Sequence, residues 1–211
     1  MKKYLTEGIG TFFLMLTVVM AGNNGAGQFA PLAVGLVLAG FMYAGWHISN
    51  AHYNPAVTLA VLMRGKIDRT DAFYYVVAQV AGAVLAVFFS VFLLNCSGVA
   101  TIATHANKNG LCALVAEFLG AFALAFVVLN VAYTRSNAGN SHFGLTIGLT
   151  FTALIWTLGS ISGGMFNPAL ALGASIAGML EWGDFWLYVI GALLGAAAAT
   201  SAFQVIYGRQ E

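Results

Sequence analysis

Charge is what this sequence has least of. Of 211 residues, eight are Lys or Arg and seven Asp or Glu, 7% in all, against 60% hydrophobic. A soluble domain carries about 25% charged residues, so a water-dispersed globule is excluded and lipid is left as the solvent. A net charge of +1 offers no basic footprint, so no nucleic-acid partner is expected. Cysteine is down to two, Cys96 and Cys112, on either side of one polar loop. A disulfide across that loop is one reading. Two isolated thiols buried near helix ends is the reading favoured here, because nothing else suggests a stapled fold. No nucleophile–base pairing and no Cys/His metal spacing is present, since His47 and His52 are five apart without a third ligand. No enzyme, catalytic residue, metal or cofactor is therefore expected. Proline is almost as scarce: three in the chain, two of them in the same tripeptide, Asn-Pro-Ala.

What is present is long apolar runs. A membrane span needs about 20 mostly apolar residues, and six stretches qualify: Tyr4–Ala21, Ala30–Ser49, Ala72–Leu94, Cys112–Tyr133, His142–Ser160 and Phe185–Tyr207. The first continues past the length of a cleavable leader and is read as a retained span. Two further runs, Pro55–Met63 and Pro168–Met179, are too short to cross. Seven cations (Lys2, Lys3, Arg64, Lys66, Arg69, Arg135 and Arg209) fall on one side of such a six-span arrangement, and Lys108 alone falls on the other. The positive-inside rule then puts both termini in the cytoplasm. Short tails and loops suggest a prokaryotic inner membrane. His105 and His142 fall at membrane boundaries and receive no role. Trp182 and Trp186 read as interface anchors.

The chain repeats itself. A shift of 113 residues places Asn54 on Asn167, Gly35 on Gly148 and Ile48-Ser49 on Ile161-Ser162; a shift of 110 places Glu7 on Glu117. Each half, about residues 1–95 and 111–211 of one domain, holds three spans and one short run. Three is odd, so the second half starts on the opposite face, an inverted repeat. Each Asn-Pro-Ala is a helix start, with Asn at the N-cap and Pro in the first turn. Two half-helices entering from opposite faces can meet at mid-bilayer and cover each other's irregular backbone, bringing two positive dipole ends together.

Paired Asn-Pro-Ala boxes on such a repeat resemble the aquaporin (major intrinsic protein) family. The resemblance rests on Glu7 with Gly10-Thr11, HISNAHYNPAVT from His47, AQVAGA from Ala78, Glu117, and SGGMFNPA from Ser162. It implies an all-α membrane protein of six transmembrane helices plus two re-entrant half-helices, a pore in every protomer and a homotetramer. The expected function is passive passage of water or small uncharged solutes. The amides of Asn54 and Asn167, with Pro55, Ala56, Pro168 and Ala169, would form the pore centre, where donors and dipoles break a proton wire. Non-helical backbone at Asn50–Tyr53 and Gly163–Phe166 would present an acceptor ladder, with Asn50, Ala51, His52, Gly163 and Met165 on it. Asn50 stands where the family usually has Gly. Glu7 and Glu117 are expensive in lipid and are read as braces for their own loops rather than a proton relay. His47 would line the pore and gate it, or else both it and His52 would bond loop backbone. Small residues Gly82, Ala83, Gly191, Gly195 and Ala196–Ala199 allow close helix crossing.

The sequence departs from the family at the narrow filter. Arg usually follows the second box; here it is Leu170, and the other aligned filter positions are Val34, Ile155 and Gly164. Without a side-chain donor or cation, a filter wider and more apolar than a strict water channel's is expected. Glycerol-like polyols, other neutral molecules and water are the candidate solutes. Glycerol conductors usually have Asp next; here it is Ala171. The rival readings are a secondary transporter, which would need a coupling-ion carboxylate near the midplane, and a non-conducting structural pore.

Overall fold

The computed structural model describes residues 1–98 and 109–208. His105, Lys108 and Arg209, used above for charge and boundaries, lie outside the described residues. Eight α-helices follow in order: α1 Lys2–Asn23, α2 Ala30–Ser49, α3 Pro55–Met63, α4 Arg69–Cys96, α5 Gly110–Tyr133, α6 Phe143–Ser162, α7 Pro168–Ile176 and α8 Phe185–Tyr207, with no strand among the described residues. Six of them, all but α3 and α7, are long and apolar enough to cross a membrane.

The six expected spans are all present, several of them longer than expected. Asp68 caps α4 through Asp71 N–H at 2.8 Å, and Asn109 caps α5, so both helices begin before their first apolar residue. Conversely α7 stops at Ile176 instead of Met179, because Gly178 turns left-handed at φ +75. Cys96 and Cys112 are free thiols, as expected, but exposed rather than buried; they sit on outward faces at helix ends.

Crossings follow the repeat: α1 packs on α4 as α5 packs on α8, and α2 packs on α6 across the pseudo-two-fold. Glycine sets the approach. A Cβ at Gly82 would meet the Gly8 carbonyl, one at Gly195 would meet the Phe118 carbonyl, and Gly35 and Gly148 face each other's carbonyls. Where bulk is absent, backbones close in and dispersion replaces a hydrophobic drive that lipid cannot supply. Outward faces are apolar, with Phe88, Phe92, Trp156 and Ile206 exposed, and Trp182, in the turn before α8, and Trp186, in its first turn, are exposed too. The start of α1 and the end of α8 share one face, the terminal face, opposite the far face. At the terminal face Lys3 and Tyr4 of α1 both bond Asp71 of α4.

Candidate functional site

The functional candidates converge where α3 and α7 begin. Asn54 and Asn167 are N-caps with nearly identical extended backbones (φ −155, ψ 120 and φ −154, ψ 112). The Asn54 side-chain oxygen accepts from Ala56 N–H at 2.8 Å; that of Asn167 accepts from Ala169 at 3.0 Å and Leu170 at 3.4 Å. Each amide nitrogen then reaches across: Asn54 Nδ2 donates to the Phe166 carbonyl at 3.0 Å, and Asn167 Nδ2 to the Tyr53 carbonyl at 2.9 Å. The tips touch. An amide NH2 carries two protons and one is spent on the opposite loop, so each Asn keeps one donor. Both line the same central cavity.

Two half-loops, residues 50–53 and 163–166, feed these tips. They share a backbone that is strained for ordinary residues: φ is +61 at Asn50, +48 at Ala51 and +50 at Tyr53, mirrored by +89 at Gly163, +69 at Gly164 and +48 at Phe166. Asn50 takes the left-handed turn that Gly163 takes in the other half; Asn is the residue besides Gly that visits it most readily. Two carboxylates hold this conformation. Glu7, 0% exposed, accepts from Ser49 Oγ (2.7 Å), His52 N–H (2.9 Å), Tyr53 N–H (2.7 Å) and Gln79 Nε2 (2.8 Å). Glu117, also 0% exposed, accepts from Ser162 Oγ (2.7 Å), Met165 N–H (3.1 Å) and Phe166 N–H (2.6 Å). Ser49 and Ser162 in turn accept from Ala51 and Gly164 N–H, both at 3.1 Å. Tyr75 and Tyr188 donate to the Ser49 and Ser162 carbonyls.

Every N–H of both half-loops is taken internally. The carbonyls of residues 50–52 and 163–165 accept no hydrogen bond from the described residues. Ala51, His52, Gly164 and Met165 are buried and line the two cavities; buried carbonyls need a donor, and there it has to come from whatever occupies the cavities.

His52 departs from the backbone-bonded reading. Its ring is buried, with Nδ1 3.1 Å from Thr58 Oγ1 and Nε2 2.9 Å from Tyr133 Oη. Thr58 gives its proton to the Asn54 carbonyl and receives Gln79 Nε2. Donor counting therefore assigns the imidazole proton to Nδ1, with Nε2 accepting from Tyr133. His47 is exposed in the last turn of α2 and is not part of the central cavity wall.

Two cavities meet this axis. The central one, counted as space open to the centre of a water molecule, is about 20 Å³, lined by Leu38, Met42, Ala51, Ile147, Phe151 and the two asparagines among others. That is room for one or two waters. The far-face cavity is about 340 Å³ and is lined by Val34, Ile155, Gly163, Gly164, Met165 and Met179 among others. Three of the four expected filter positions thus share one cavity. Leu170 does not join them: it is 0% exposed in the hydrophobic core, while its repeat counterpart Val57 reaches the central cavity. Sequence reasoning missed Gln79, Thr58, Tyr133 and the Tyr75/Tyr188 pair as parts of the site. The tyrosines stand 113 residues apart, the same spacing as the asparagines, and that signal could have found them. Among the described residues no group of three or more His, Cys, Asp or Glu could hold a metal.

Known proteins resemble this chain in sequence and fold. Residues 1–203 match the family described as Major intrinsic protein. The chain is 38% identical to Glycerol uptake facilitator protein-like 6 of Lactiplantibacillus plantarum, over 98% of both chains. It is 31% identical to Aquaporin AqpM of Methanothermobacter thermautotrophicus, over 97% of both, and 33% identical to Aquaporin NIP1-1 of Zea mays, over 97% of this chain and 74% of that one. The fold matches the X-ray structure of the aquaglyceroporin from Plasmodium falciparum with a TM-score of 0.84, at 20% identity, over 98% of this chain and 96% of that one.

Proposed function

The chain belongs to the major intrinsic protein family, whose members are passive channels rather than enzymes, and we propose that it conducts water and small neutral solutes through one pore per protomer while excluding ions and protons. The observation that carries this reading is the crossed pair of amides, each with one N–H left for a passing oxygen, at the meeting of two half-helix N-termini. A water held there donates no hydrogen to either Asn, so its own hydrogens point away along the pore and the proton wire breaks. The two dipole ends add roughly half a positive charge each, against which a cation finds no carboxylate: both Glu are consumed as loop braces.

Six unclaimed carbonyls on the two half-loops supply the acceptor ladder, and apolar helix faces form the opposite wall. With Val34, Ile155 and Gly164 at the far-face filter, no side chain there donates or carries charge. Neutral solutes with apolar surface therefore enter at smaller cost than a charged filter would impose. Glycerol-like polyols fit this chemistry, in keeping with the relative named as a glycerol uptake facilitator. The whole chain acts as one channel domain, assembled as a homotetramer in a prokaryotic inner membrane. The terminal face is cytoplasmic, because Lys2, Lys3, Lys66, Arg69 and Arg135 all lie there.

Proteoliposomes shocked with glycerol test it. Faster glycerol equilibration than in protein-free vesicles, unsaturated and independent of any ion gradient, is expected. Saturable, ion-coupled flux would point to a transporter, and no flux to a structural pore-like protein.

A further inference from the structure

The cavity beside the amide pair is far smaller than the one at the far face, and the repeat points to a reason. Each far-face filter residue has a counterpart on the terminal-face half, at the spacing that carries Asn54 onto Asn167: Val34 corresponds to Ile147, Ile155 to Met42 and Gly164 to Ala51. The first of each pair lines the far-face cavity of about 340 Å³. The second lines the central cavity of about 20 Å³. In every pair the terminal-face member is the longer side chain: Ile exceeds Val by a methylene, Met outreaches Ile, and Ala adds a methyl group to Gly. Next to them His52 stands where the other half has Met165, and its ring is fixed at both nitrogens by Thr58 and Tyr133, so it does not swing aside. Leu38 and Phe151, also counterparts, complete the wall, with Phe151 locked edge-on against Phe166 at 6.2 Å between ring centres.

We propose that size selection is made at an inner filter formed by Met42, Ile147 and Ala51, the pseudo-two-fold image of the far-face filter, and that the far-face filter does not set the cut-off. This rests on the channel reading above. The inner filter has acceptors on one wall, the carbonyls of Ala51 and His52, and apolar side chains on the other. It takes neutral molecules one at a time, donating hydrogen bonds along one edge and presenting a slim apolar edge opposite: water, and unbranched hydroxylated solutes turned lengthwise. Broader solutes enter the far-face cavity and stop at Met42 and Ile147. Met42 is the adjustable member, because an unbranched thioether chain changes rotamer more freely than a β-branched one.

The repeat also supplies the test. The triple variant Met42→Ile/Ile147→Val/Ala51→Gly copies the far-face filter into the inner position, and Val34→Ile/Ile155→Met makes the reciprocal change at two of the three positions. Each new side chain already occupies the related position in this fold, and Met42→Ala provides a second, single-site probe. The readout is the glycerol-to-water permeability ratio of proteoliposomes. The inner triple variant and Met42→Ala are expected to raise it about tenfold, the scale of a methylene-sized misfit in an apolar pocket; the reciprocal far-face swap shifts it by no more than about twofold, far less than a sieve would on the same scale. An unchanged ratio in both inner variants overturns the inner filter, as does a far-face swap with the larger effect. A wild-type protein with no flux of either solute would instead overturn the channel reading, and the inner filter with it.

Discussion

Asn54 and Asn167 each hold the other's half-loop: Nδ2 of Asn54 bonds the Phe166 carbonyl at 3.0 Å, and Nδ2 of Asn167 bonds the Tyr53 carbonyl at 2.9 Å. The two amides are caps, clamps and pore lining at once. Replacing either by Ala removes an N-cap and strands a buried carbonyl. Asn54→Ala and Asn167→Ala should each cost about 2–4 kcal/mol, by similar amounts, read as lowered thermal midpoints in detergent. A loss confined to one of them would break the reciprocity.

The two carboxylates should not be equivalent. Glu7 receives four donors and Glu117 three, the difference being Gln79, whose counterpart is Ala192. Hydrogen bonds to a charged group are worth about 1.5–3 kcal/mol each, and a Gln amide turns a donor toward half of them. Glu7→Gln should therefore destabilise more than Glu117→Gln and speed hydrogen exchange at the His52 and Tyr53 amides. Equal losses would contradict the donor count.

Gly10 and Gly120 make room for the ring just before each asparagine. A Cβ at Gly10 would fall within the Tyr53 ring and one at Gly120 within the Phe166 ring, whereas Gly22 has nothing within 4 Å. Overpacking of this kind costs about 1–3 kcal/mol or more. Gly10→Ala and Gly120→Ala should lower both stability and water flux by displacing a half-loop. Gly22→Ala, in the same helix as Gly10, should leave both at or above wild type.

Leu170 stands where the family's filter arginine usually is, yet it is fully buried away from the far-face cavity. Leu170→Ala should behave as a core truncation, costing about 2–5 kcal/mol with the wild-type glycerol-to-water ratio. A shifted ratio at normal stability would put Leu170 back on the pore wall.

Much of this was legible in the sequence for a physical reason: irregular backbone and carboxylates are costly in lipid, so Asn-Pro-Ala, Glu7 and Glu117 stand out against an apolar background. The half-loops and the start of α3 lie where cap and proline chemistry puts them. Rotation about a helix axis was less legible. Spacing from the boxes gives the height of Leu170 but not that its side chain turns into the core, and it gives the height of His47 but not that His47 lies outside the central cavity wall. Partners distant in sequence were hidden too. Tyr133 reaches His52 from 81 residues away, and only packing brings them together. Met42 and Ile147 read as ordinary apolar helix residues until the cavity they narrow is seen.

The central claim is that crossed amides let water through and stop protons. Osmotic shrinkage and pH-dye leak should be recorded on the same wild-type proteoliposomes. The account predicts water permeability well above protein-free vesicles with proton leak at the protein-free level; water permeability no higher than that of empty vesicles, or a proton leak rising with it, would contradict the account.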